Sequence, residues 1–371
     1  MTTSQKVQVS SPAPGKTDLQ VTLGELQTLG IDGLLAKNPD LKILRVDHAA
    51  LNSGDLNLLD LAMKFPHVRA TMISLANRGF FVYMLKEQTT SLVHFRHIAK
   101  LWKRVSDGNC RVDDNGLIYS LEVPLAGHAP AHLLVVFSSI ADKIRTSSLM
   151  RHFFQNYSTV QKYVPAGTAV LRIADFGGVV GGFYLNSYGF PDTESHVQSL
   201  IARVTEEIGL TSDQVVLYGT SKGGSASLYH GVLGGYRVVS VDPILADEHY
   251  IKRFRDCHFT VGTFPEDKRD KFERLSSTTD SAKLAPTAII CSDRSPQFPY
   301  IATVLREPLK SHVAYFNSRH PDIKVHPDVG VKTRSIAIML INMMFYRLPV
   351  SSGMYVVDDL KHREDTRIPS Q

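Results

Sequence analysis

Residues 219–223 read Gly-Thr-Ser-Lys-Gly, a G-x-S-x-G pattern between the apolar run "VVLY" and the helix-like stretch "GSASLYHGVL". A serine set between a strand and a helix in this way sits on a sharp turn that presents its hydroxyl as a nucleophile. Glycines belong at the flanks because side chains there would collide with the neighbouring strand and helix. The N–H of Lys222, at the start of the helix, is expected to point at the oxyanion of an acyl-transfer intermediate.

A serine hydroxyl is a weak nucleophile until a base takes its proton and a third group orients that base. After such a turn the expected chain order is Ser221, acid, histidine. Asp293 ends "AIICSD", two strands after the turn, and is the expected acid. His326 ends "IKVH", read as the next strand, and is the expected base. Asp242, in "VVSVDP" on the strand directly after the turn, is the alternative acid. His320 precedes "PDIKV" and is expected at the opposite end of that strand. The second oxyanion donor is expected from the loop after "LLVVFSS", at Ser138 or Ser139. This chemistry calls for no metal and no cofactor.

Two other glycine-rich readings fail on context. "FGGVVGGFY" (176–184) follows a strand, but no helix opens at its last glycine, so a pyrophosphate would find no helix N-terminus. Gly177, Gly178, Gly181 and Gly182 read instead as a flexible loop lining the substrate mouth. Lys222 precedes its glycine pair, which excludes a phosphate-binding P-loop.

The elements that must position these residues follow a regular rhythm from residue 117. Strands are read at "LIYSLEVPL", "HLLVVFSS", "GTAVLRIADFG", "QVVLYGT", "YRVVSVDP", "PTAIICSD" and "DIKVHP". Helices are read between them, the clearest at "TESHVQSLIARVTEEIG", whose Val197, Leu200, Ile201, Val204 and Ile208 fall at i, i+3, i+4 spacing. Short β-branched strands alternating with helices imply an α/β fold, a mostly parallel sheet with helices on both faces. Ligands in such sheets bind beyond the carboxyl ends of the strands, where Ser221, Asp242, Asp293 and His326 are all expected. Residues 18–116 read as a mixed α/β extension without chemistry of their own, with "TSLVHFRHIAKLWKRV" as a helix. Residues 1–17 and 358–371 read as a disordered arm and a loose tail, leaving 117–357 as the main domain.

Composition narrows the function further. Hydrophobic residues make up 43% and charged residues 21%, which suits a globular protein with a sizeable core. The net charge of +5 is not gathered into a basic block, so nucleic-acid binding is not expected, while a mild preference for anionic ligands remains. Three widely spaced cysteines fit a reducing compartment. No signal-peptide core is read at the N-terminus, and "SIAIMLINMMFY" is too short to span a bilayer. A cytoplasmic protein without an integral membrane segment is expected.

The Gly219–Gly223 turn, with Asp293 and His326 in order, resembles the α/β-hydrolase superfamily over residues 117–348. The form "YGTSKGGSASLYHG" is also similar to capsular-polysaccharide biosynthesis proteins of the XcbB/CpsF type and to accessory Sec system proteins that accompany glycosylated adhesins. The resemblance implies acyl chemistry on an ester or acyl donor, with a polysaccharide as acceptor in capsule biosynthesis. It departs from the lipases in lacking their His-Gly oxyanion motif. The alternative from another class is a non-catalytic α/β-hydrolase-fold component of a glycan assembly or export complex.

Overall fold

Segments of five to seven residues, most of them apolar and β-branched, together with one two-residue edge strand, build two sheets. The computed structural model describes residues 16–124 and 127–358. The expected arm and tail lie, apart from Lys16, Thr17 and Asp358, outside the described residues. The first sheet contains β1 (Asp18–Thr22), β2 (Ile43–Asp47), β3 (Phe80–Lys86) and β4 (Thr89–His94) in the order β1-β2-β4-β3. β1 and β2 run parallel, joined by the helix Leu23–Lys37, and β3 and β4 form an antiparallel hairpin. "TSLVH" is therefore strand, and the helix expected there begins only at Phe95. Val82, Leu92 and Val93 are buried, because the hairpin partner rather than helical periodicity decides their environment.

The second sheet contains β5 (Arg111–Val112), β6 (Ile118–Glu122), β7 (His132–Phe137), β8 (Thr168–Ile173), β9 (Val215–Thr220), β10 (Arg237–Val241), β11 (Thr287–Cys291), β12 (Ala314–Ser318) and β13 (Gly353–Val357). Their order is β13-β12-β11-β10-β9-β7-β8-β6-β5. Seven strands, β7 to β13, are mutually parallel; β6 runs antiparallel to β8, and β5 to β6.

The pleat sorts side chains onto two faces. Leu134, Val136, Val216, Tyr218, Val239 and Ile290 meet Leu340, Ile341 and Met344 of the helix Arg334–Phe345. Leu133, Val135, Val215 and Leu217 meet Val197, Leu200, Ile201 and Val204 of the helix Thr193–Glu207. Both faces are covered, as the unbroken apolar strands predict. Among the described residues, no helix is long and apolar enough to cross a membrane.

The two sheets share a core. Leu44, Val46, Phe81 and Leu92 of the small sheet pack in one cluster with Phe153, Ala174, Val179, Val180 and Phe259. Arg69 ties the units together: it reaches the Asp256 carboxylate at 2.5 Å and stacks over the Phe259 ring at 4.4 Å.

A second expected element differs. "DIKVHP" is not a strand: Ile323 is buried in a loop, Val325 is exposed, and His326 is the first residue of the helix His326–Lys332. The strand at that place in the sheet is "AYFNS", eight residues earlier in the chain.

Candidate functional site

Ser221 directly follows β9 with φ +58° and ψ −119°, a conformation that L-residues rarely adopt. Its N–H donates to the Val241 carbonyl at 2.8 Å, pinning the turn to the adjacent strand. The flanking glycines are steric necessities. A Cβ on Gly219 would lie 2.0 Å from the Gly223 carbonyl oxygen, and one on Gly223 would lie 2.3 Å from that of Phe137. Nothing larger than hydrogen fits while the helix starts this close to the strand.

The turn aims Ser221 at His326. Ser221 Oγ and His326 Nε2 are 2.7 Å apart, and His326 Nδ1 is 2.7 Å from Asp242 Oδ2. With its proton on Nδ1, the imidazole donates to Asp242 and accepts from the Ser221 hydroxyl, the protonation a base requires. Asp242 is fully buried at φ +42° beyond β10, and its N–H donates to the Ile290 carbonyl at 2.7 Å. The same Oδ2 accepts the Ser295 hydroxyl at 2.5 Å, while Oδ1 has no hydrogen-bond partner among the described residues.

A serine on a positive-φ turn between a parallel strand and a helix, on a sheet of this connectivity, fixes the architecture. The fold is that of the α/β-hydrolases. No protein-family model and no curated protein sequence matches the chain. Among solved structures it is similar to a 2,6-dihydroxy-pseudo-oxynicotine hydrolase (12% identity, 80% of this chain and 82% of that one, TM-score 0.46). It is also similar to the capsule O-acetyltransferase of Neisseria meningitidis serogroup A (14% identity, 63% and 93%, TM-score 0.41). A third is a chain of the glycosylation-associated Gap123 complex from Streptococcus agalactiae (13% identity, TM-score 0.40), where the match covers 70% of this chain but 51% of that one.

Within this α/β-hydrolase fold the sequence-predicted residues separate. Ser221, His326 and the alternative acid Asp242 come together. Asp293 does not join them. Its carboxylate accepts from Arg319 at 3.1 Å and Asn317 at 3.3 Å, and its N–H donates to the Asn317 side chain, so it faces β12. Ser138 and Ser139 do not offer their N–H groups either: these donate to the Tyr184 hydroxyl at 2.9 Å and to Asn156 Oδ1 at 2.6 Å. The Lys222 N–H, at the first helical position, has no carbonyl one turn earlier to bond. The loop carrying Gly177, Gly178, Gly181 and Gly182 is not a loose mouth. Residues 177–185 are buried, and the Asp175 carboxylate accepts the N–H groups of Gly182, Phe183 and Tyr184.

Ser295 had no sequence signal; its role follows from a loop that returns it to Asp242. Beside His326, the Tyr250 ring lies edge-on at 6.4 Å and packs against His258 at 4.1 Å. Burial, reinforced by the charges of Lys268 and Lys222, holds His258 well below the usual histidine range, so it stays neutral. A separate cavity of about 360 Å³ is lined by Phe95, Arg96, Phe176, Phe190 and His196 among others, and Ser221 is not part of its wall. Among the described residues, no cluster of His, Cys, Asp or Glu could hold a metal ion.

Proposed function

We propose that this protein is a serine acyl-transfer enzyme, an esterase or O-acyltransferase, in which Ser221 is the nucleophile, His326 the base and Asp242 the orienting acid. The observation that carries the reading is the unbroken Asp242–His326–Ser221 relay of 2.7 Å contacts on a positive-φ serine. Ser221 Oγ attacks the acyl carbonyl carbon while its proton passes to His326 Nε2. The carbonyl π electrons move to oxygen, and the Lys222 N–H at the helix N-terminus receives the oxyanion. Collapse breaks the bond to the leaving oxygen, which takes the proton from His326. The acyl-enzyme is then attacked by water or by a sugar hydroxyl, which gives its proton to His326, and collapse breaks the acyl–Ser221 Oγ bond as Oγ takes that proton back.

The segment after Asp242 bears on substrate class. Its helices Glu248–Phe254 and Lys268–Thr278 are tied down by Lys268–Asp247 at 2.6 Å and Arg269–Glu248 at 2.6 Å. A tethered segment of this kind suits a short acyl group and a polar acceptor such as a capsular glycan better than a long lipid chain.

The test is labelling with a fluorophosphonate, followed by hydrolysis of p-nitrophenyl esters of increasing chain length. Wild type should take the label and favour acetate, and Ser221→Ala should lose the label and about 10³–10⁶ of the rate while remaining folded. A folded Ser221→Ala protein that still hydrolyses ester defeats the serine mechanism. A folded wild type that takes no label and cleaves no ester leaves a non-catalytic role.

A further inference from the structure

The residue after the nucleophile carries a second feature. The Lys222 side chain is completely buried, and its ammonium lies 2.6 Å from Asp175 Oδ2, with the carboxylate almost as deeply enclosed. Asp175 follows β8, and besides Lys222 it binds the N–H groups of Gly182 at 2.8 Å, Phe183 at 3.0 Å and Tyr184 at 3.4 Å. Phe183 and Tyr184 are both at positive φ, +55° and +59°. Two consecutive non-glycine residues in that region are strained by roughly 1–2 kcal/mol each, so the turn needs such a fastening. Tyr184 carries the connection onward: its hydroxyl donates to the Ile173 carbonyl at 2.8 Å and accepts the Ser138 N–H at 2.9 Å. Gly181 makes the approach possible, because a Cβ there would stand 2.7 Å from Asp175 Oδ2 and 2.8 Å from Lys222 Nζ.

The chain of contacts joins the carboxyl ends of three adjacent strands, β7 at Ser138, β8 at Asp175 and β9 at the Ser221 turn. Stability alone is a poor reason for it. Desolvating two charges offsets much of their attraction, and a well-packed apolar pair of similar volume is often as stable. What the ion pair adds is a directional tie on the residue that the acyl-transfer reading makes the oxyanion donor.

We infer that Lys222 and Asp175 form a positioning pair, which holds the oxyanion-donating start of the helix in register with the 176–184 turn and the Ser138 loop. The inference rests on the serine acyl-transfer reading for its catalytic consequence, but its structural consequence is measurable without any reaction. Neither side chain reaches substrate; both act through the backbone groups they hold.

The test uses the full chain with Lys222→Met, Asp175→Asn and the double variant, read by hydrogen-exchange mass spectrometry and by kcat and KM on p-nitrophenyl acetate below each melting temperature. Lys222→Met should speed exchange in peptides covering 176–190 by about tenfold or more, with the β9–β11 core unchanged. It should lower kcat by about 10–100-fold, with KM within about twofold, as a small displacement of an oxyanion donor does. The double variant leaves no unpaired buried carboxylate, so it should regain thermal stability lost by Lys222→Met without regaining kcat. Wild-type exchange across 176–190 in Lys222→Met, or recovery of kcat together with stability in the double variant, overturns the inference. If Lys222→Met does not fold, Asp175→Asn, nearly isosteric, carries the same measurements. If folded wild type proves inert to the ester and to fluorophosphonate, the acyl-transfer reading falls, and the exchange result alone decides whether the pair holds the turn.

Discussion

Replacing Asp242 and Asp293 by asparagine, one at a time, separates two carboxylates that stand at the ends of neighbouring strands. In Asp242→Asn the amide occupies a fully buried place between His326 Nδ1 and the Ser295 hydroxyl. With its NH2 toward the imidazole, His326 must accept on Nδ1 and carry its proton on Nε2, where it points at Ser221 and can take nothing from it. With its carbonyl toward the imidazole, the tautomer is kept but the negative charge that stabilises the imidazolium is gone. A loss of about 10⁴ in kcat is expected, about 5 kcal/mol of transition-state stabilisation. Asp293 is a third exposed and pairs with the half-exposed Arg319, so Asp293→Asn should cost less than about 1 kcal/mol of stability and leave the rate within about twofold. Initial rates on p-nitrophenyl acetate, with thermal melts to show that both variants fold, give the comparison. A larger rate loss for Asp293→Asn than for Asp242→Asn refutes the assignment.

Two further outcomes follow from backbone strain and from buried histidine. Ser221→Gly should be more stable than Ser221→Ala by about 1 kcal/mol, because both lose the hydroxyl and only glycine is at ease at φ +58°; equal melting temperatures would show that the turn is unstrained. His230 is buried, donates Nε2–H to the Tyr184 carbonyl and accepts from Gln198 on Nδ1, and burial pushes its pKa down to about 4. The unfolded chain therefore takes up a proton near pH 6.5 that the folded chain refuses until about pH 4, so this contribution is present above 6.5 and lost as pH falls through that window. It should amount to about 3 kcal/mol between pH 7 and 4. Urea unfolding of His230→Gln should show a shallower fall over that range, and identical slopes would exclude the effect.

The Ser221 turn was legible because its signal is local: an apolar strand, two obligatory glycines and a helix lie within a dozen residues. The histidine was legible for a reason that does not hold in three dimensions. The alternation Ile323, Val325 imitates a strand, whereas Pro327 and Asp328 are helix-start residues, and Asp328 indeed accepts the N–H groups of Lys324 and Val325. The acid was ambiguous because Asp242 and Asp293 both follow apolar strands. What separates them is sheet geometry: the Asp242 N–H bonds Ile290 on β11, while Asp293 turns to Asn317 and Arg319 beyond β12. Side-chain direction at a strand end is set by the neighbour it pairs with, and a single sequence does not name that neighbour. The glycine loop was misread as mobile because composition reports permissiveness and not fastening; its fastening is Asp175, seven residues before Gly182 and without a motif to mark it.

The core shared between the two sheets also sets a timetable for synthesis. The small sheet is complete in sequence by His94, yet the cluster that covers Phe80 and Phe81 includes Phe153, Val179 and Phe259. At ribosomal rates of about 5–20 residues per second, that cover begins to arrive roughly three to twelve seconds after β4 with Phe153 and is complete only after roughly eight to thirty-three seconds with Phe259. During the interval that aromatic sheet face lacks part of its cover, so the N-terminal unit is the part of this protein for which a holding chaperone has the longest work.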